Sequence, residues 1–154
     1  NIKQNQTSGD QKVQLSGTIN ELIKEYRDEL VGVGPVYFGA TRGDSCLPLD
    51  VSAYKEIAFT IRNKGDHLIK LWAFQLYART DLPRTSNYAG LLVSTSMSAG
   101  GGDAGDIPAG ARLHVSSIKY PALLTPFSGL VLQFYTPGVP NPVPIDIVIT
   151  GVRV

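Results

Sequence analysis

"YKEIAFTIRNKGDHLIKLWAFQLYART", residues 54–80, holds two runs of alternating apolar residues joined by a short turn, and its period of two decides the fold class. In the first run Ile57, Phe59 and Ile61 fall on one side and Glu56, Thr60 and Arg62 on the other. That is an antiparallel strand with one face in a core. "NKGD", residues 63–66, is turn chemistry. From His67 to Thr80 both alternating sets are largely apolar: Leu68, Trp72, Phe74 and Leu76 against Ile69, Leu71, Ala73 and Tyr77. The spacing predicts a strand covered on both faces, at the centre of the molecule or at an interface, with Trp72 turned into a packed layer.

The same period recurs in both directions along the chain. "PVYFG" (35–39), "LLVSTSM" (91–97), "ARLHVSSIKY" (111–120), "GLVLQFYT" (129–136) and "IDIVITGVRV" (145–154) read as further strands. "SAGGGDAGDIPAG" (98–110) reads as a long loop, and the prolines of "PGVPNPVP" (137–144) favour an extended connector because proline cannot donate to a ladder. About seven to nine strands separated by turns indicate an all-β antiparallel β-sandwich, of jelly-roll or immunoglobulin-like type.

One segment breaks the pattern. In "GTINELIKEYRDEL", residues 17–30, Ile19, Leu22, Ile23, Tyr26 and Leu30 recur at helical spacing, and Thr18 with Glu21 makes a capping box. This predicts a short amphipathic helix within residues 18–31, placed between a polar N-terminal arm, 1–17, and the sandwich domain, 32–154. The arm has no core of its own; Val13 and Leu15 share one side of a short extended stretch. Val13, Leu15, Ile19, Leu22 and Tyr26 are therefore the candidate subunit-contact residues.

Composition narrows the function. Among 154 residues, 14 Lys and Arg stand against 13 Asp and Glu, with no basic cluster such as phosphate neutralisation requires, so nucleic acid is not an expected partner. A hydrophobic fraction of 43% suits a globular domain, yet no apolar stretch approaches the roughly 20 residues of a membrane span, so no membrane insertion is expected. A single cysteine, Cys46, excludes an intrachain disulfide and leaves only an intermolecular bridge.

The run from Ser52 to Asp81, whose alternation ends in Arg62-Asn63-Lys64-Gly65 before a long strand, and the later Pro108-Ala109-Gly110 turn resemble the layout of β-sandwich domains in phage virions and bacterial surface appendages. Some secreted carbohydrate-binding modules share that layout. The resemblance spans residues 35–154, implies a structural or adhesive role, and brings no catalytic residue with it.

Candidate sites are few. Arg42-Gly43-Asp44 is the integrin-recognition tripeptide, a candidate ligand loop, although Gly-Asp is also ordinary turn chemistry. Asp103 and Asp106 among glycines suggest a calcium loop but lack the terminal Glu of an EF-hand. His67 and His114 are the only histidines, and nothing in their spacing selects a base, an orienter and a nucleophile. Trp72, Tyr54, Tyr77, Tyr88, Tyr120 and Tyr135 could stack on sugar rings if they shared a face. No enzyme and no cofactor are expected. The reading is a self-assembling structural subunit, a homo-oligomer of a virion, fibre or cell-surface appendage; the alternative is a module that binds a cell-surface glycan or receptor.

Overall fold

A computed structural model describes residues 20–32, 34–86, 91–97, 104–124, 129–135 and 141–154. Ten strands occur among them: β1 (Glu21–Val31), β2 (Val36–Phe38), β3 (Leu49–Asp50), β4 (Tyr54–Asn63), β5 (Ile69–Tyr77), β6 (Leu91–Ser96), β7 (Asp106–Ile107), β8 (Arg112–Ser116), β9 (Gly129–Tyr135) and β10 (Val143–Arg153). The described helical residues are confined to two 3-10 turns, Arg84–Ser86 and Pro121–Leu124. The strands form two antiparallel sheets, β1-β10-β4-β8 and β2-β9-β5-β6, with β3 added to β9 and β7 to β5.

Without the two-residue strands β3 and β7, eight remain, and they pair first with last, second with seventh, third with sixth and fourth with fifth. Nested pairing of that kind is what a long hairpin gives when it is rolled into two layers. The sandwich is thus a jelly roll, not an immunoglobulin-like arrangement. Between the layers, Ile57, Phe59 and Ile61 of β4 and Ile145, Ile147 and Ile149 of β10 join one buried cluster with Ile69, Leu71, Phe74 and Leu76 of β5. Phe59 meets Phe74 edge to face at 6.3 Å, and each such side chain contributes about 1.5–3 kcal/mol through burial.

Residues 20–31 are not helical. Glu21–Val31 form β1, the edge strand beside β10. The register slips between Leu22 and Lys24, and again between Tyr26 and Glu29, where Arg27 and Asp28 together stand against Asp146 and Asp28 takes φ 53°. Each β-bulge adds one residue to the alternation. Ile23 and Tyr26, both packed on the core, therefore lie three apart in sequence, which imitates a helical stripe. Thr18 and Ile19, like the whole of the arm with Val13 and Leu15, lie outside the described residues.

A third bulge overturns the expected direction of Trp72. Leu71 opposes Phe134 and Ala73 opposes Gln133, so Trp72 is the extra residue and the inward face changes phase there. Ile69 and Leu71 before it, and Phe74 and Leu76 after it, all point to the core. Trp72 is half-buried on the outer face instead, against Tyr135 at 5.7 Å. Tyr77, in the shifted phase, belongs to a second buried cluster with Tyr37, Cys46 and Val131.

The two turns read from the sequence meet at Asn63. Fully buried at 0% exposure, its side-chain amide donates to His67 O (2.6 Å) and Ile107 O (2.9 Å), and its Oδ1 accepts from Gly65 N–H at 2.9 Å. Its backbone binds the Pro108–Gly110 turn: Asn63 N–H donates to Ala111 O and Gly110 N–H to Asn63 O, both at 3.0 Å.

Candidate functional site

The two sheets differ in what covers their outer faces. On the β2-β9-β5-β6 sheet, Cys46 from the loop after β2 lies buried with Tyr37, Tyr77 and Val131, and the Arg84 guanidinium stacks on the Tyr37 ring at 3.4 Å. Arg84 N–H donates to Cys46 O at 2.7 Å, which ties the two covering segments together. No described segment lies across the outer face of β1-β10-β4-β8.

Strand register writes that open face as rows. Leu22, Thr150, Ala58 and Ser116 form one row; Glu25, Val148, Thr60 and His114 the next; Arg27 with Asp28, Asp146, Arg62 and Arg112 the third. A hydrogen bond of 2.9 Å between Thr60 Oγ1 and His114 Nδ1 bridges the middle row. On one side of it lies a shallow hollow of about 230 Å³ lined by Asn20, Ala58, Ser116, Ile118 and Thr150 among others. On the other side lies a hollow of about 180 Å³ with the arginines. Large apolar side chains stand exposed around the sheet: Leu22 at 58%, Leu30 at 51% and Ile118 at 80%.

Electrostatics at the third row turn on Asp146. Burial pushes its carboxyl up, but the Asp28 N–H at 2.9 Å, Lys64 Nζ at 3.3 Å and Arg27 Nη1 at 3.3 Å outweigh that and hold it below the ordinary carboxylate range. Asp28 offers that N–H from within the bulge, where its φ is 53°. A carboxyl with a depressed folded pKa contributes stability above the unfolded value of about 4, and the contribution is lost as pH falls through the folded value. Asp146→Asn should therefore be less stable than the parent at neutral pH and lose less on acidification. Urea midpoints measured down the acid limb check this; parallel curves for the two proteins would contradict it.

The structure places the other candidates as follows. Arg42 donates to Glu29 Oε1 at 2.7 Å and to Leu30 O, and its guanidinium lies 5.2 Å from the Phe38 ring. Gly43 has φ 122°, and Cys46 N–H donates to Gly43 O at 3.1 Å, closing a tight turn over Gly43-Asp44-Ser45-Cys46, while Arg42 precedes it in a bridge to Phe38. Tyr26 faces its own core, donating to Gly39 O at 2.6 Å, and burial first, then Cys46 and Glu29, pushes its phenol up to about 12. Leu22 is exposed on β1. Burial pushes the Cys46 thiol up to about 11, in the manner of an inert structural thiol, so an intermolecular disulfide would require the covering loop to open.

Asp106 pairs with Lys70 at 2.7 Å, and Asp103 lies outside the described residues. Among the described residues no group of three or more His, Cys, Asp or Glu is placed to hold a metal ion. His67 sits near Asp66 at 3.6 Å in the β4–β5 turn, while His114 is bonded to Thr60 on β8. Of the aromatics, Trp72 and Tyr135 come together and line a hollow of about 280 Å³ with Pro35 and Gln133. Tyr77 is buried, Tyr120 packs on Phe74, Tyr54 lies under Arg153, and Tyr88 is outside the described residues. The facing of Arg62 and Arg112 escaped the sequence reading. Alternation turns Arg62 outward, but only the β4–β8 register identifies its neighbour.

No family model matches the chain, and no curated protein matches it. Among solved structures, the chain is similar to one in the structure of the infectious bursal disease virus Gx strain, at 10% identity and a TM-score of 0.34, covering 87% of this chain and 31% of that one. It is also similar to one in an expanded equine rhinitis A virus particle, described as a picornavirus capsid, at 9% identity and a TM-score of 0.27, covering 84% and 74%. The chain spans about a third of the length of the first of these, and both likenesses are too distant to bear on what it does.

Proposed function

We propose that this chain is a non-enzymatic structural subunit that assembles with copies of itself in a virion, fibre or surface appendage. The observation that carries this reading is the outer face of β1-β10-β4-β8, which no described segment covers, lined in one half by Ala58, Ser116 and Thr150 and bordered by exposed Leu22 and Ile118. Four strands at the usual spacing and about five residues of shared length give roughly 250–330 Å². A stable interface needs about 800 Å² per partner, so the face supplies about a third of it. The polar arm, residues 1–17, leads into the edge strand β1 and would supply the rest by reaching a neighbour.

Deleting residues 1–16 should leave the melting temperature near that of the full chain and reduce the native mass to that of smaller species. A truncated chain that unfolds while monomeric would show that the arm belongs to its own subunit's core.

The hollow at Trp72 and Tyr135 favours a second reading. An aromatic pair with one amide, Gln133, suits a sugar ring, and jelly rolls serve lectin as well as capsid domains. Glycan binding by a stable monomer, abolished in Trp72→Ala, would select that reading over assembly.

A further inference from the structure

Arg62 and Arg112 are directly opposed across the β4–β8 ladder, and both are exposed. Directly opposed residues place their Cβ atoms about 4.5–5.5 Å apart, and like charges at that distance destabilise a sheet. The row holds carboxylates that could relieve the repulsion, yet each is turned elsewhere. Asp146, opposite Arg62 on the other side, directs its oxygens to the Asp28 N–H, Lys64 and Arg27. Asp28 pairs with Lys64, and Glu25 in the neighbouring row pairs with Arg27. Among the described residues neither Arg62 nor Arg112 has an ion-pair partner.

We propose that Arg62 and Arg112 form a site for a single phosphate or sulfate group. The hollow of about 180 Å³ between them is lined by Arg27, Thr60, Val148 and Asp146, the last already neutralised by its own partners. Two guanidinium forks on adjacent strands can donate to different oxygens of one tetrahedral group, whereas a carboxylate is satisfied by a single fork. The charge is local to one row, which suits one oxyanion and not a nucleic-acid backbone. Both arginines belong to the same chain, so the site needs no second copy, but its row lies in the outer face proposed above for subunit contact and is open only in the monomer.

The test uses the full-length chain with millimolar sodium sulfate or phosphate at ionic strength held constant with sodium chloride, read by calorimetric titration and melting temperature. Saturable binding is expected for the parent, with affinity about tenfold or more weaker in Arg62→Gln and in Arg112→Gln. Without the oxyanion, each variant should melt no lower than the parent, since a repulsion has been removed. Glucosamine 6-sulfate against glucosamine distinguishes the source: tighter binding than inorganic sulfate means the group arrives on a sugar, equal or weaker binding means a free ion. No saturable binding by the parent, or equal binding by the variants, would overturn the site. The titration is made at concentrations where native mass shows the monomer, so that no neighbouring copy covers the row and failure of the site is distinct from failure to assemble.

Discussion

Asn63→Asp should cost about 3–5 kcal/mol at neutral pH, a large part of the roughly 5–15 kcal/mol that holds a domain together. The change alters almost no volume. It removes two N–H donors from between His67 O and Ile107 O, at 2.6 and 2.9 Å, and sets a carboxylate oxygen against them in a fully buried position. The sign of its pH dependence is distinctive. Burial against carbonyl oxygens raises the introduced carboxyl's folded pKa, so the protonated form, which can donate to one carbonyl, restores part of the loss below the unfolded value, and that part disappears as pH rises through the folded value. Urea denaturation of parent and variant at matched pH values should show the gap between them narrowing toward acid. A small gap, or one independent of pH, would contradict the role of Asn63 as the tie between the β4–β5 turn and the Pro108–Gly110 turn.

Phe74→Ala should cost about 3–5 kcal/mol, while Trp72→Ala, two residues earlier, should cost about 1 kcal/mol. Phe74 is fully buried between Phe59 of the facing sheet, at 6.3 Å, and Tyr120, at 5.9 Å, so its removal leaves a cavity in the middle of the sandwich. Trp72 is half-buried and rests on Tyr135 alone among the described rings. Equal losses in chemical denaturation, or the larger loss at Trp72, would place the tryptophan back in the core and remove the bulge after Leu71.

The contrast shows where sequence reading works in this chain and where it stops. Strands β4 and β5, the turn at Asn63 and the Pro108–Gly110 turn were legible because alternation and turn chemistry are local properties. Bulges are not local in that sense. An extra residue at Ile23, at Arg27–Asp28 and at Trp72 shifts the phase of everything after it, and its cause lies in the partner strand. The helix expected over 19–30 and the inward Trp72 fail for this one reason. The open face and the Arg62–Arg112 pair were hidden differently, because a facing pair exists only once β4 and β8, separated by some fifty residues of chain, have chosen a register. The outward face of β4 was legible from alternation; which of the two layers is covered by the loop that carries Cys46 was not.

Native mass of the full-length chain over a range of concentrations, with electron microscopy of the same samples, tests the assembly reading most directly. Discrete multi-subunit particles or fibres are expected, and Ile118→Asp, at an 80% exposed position beside the open face, should disperse them without changing the melting temperature of the subunit. A chain that stays monomeric at every concentration, with no particles in the images, would contradict the account.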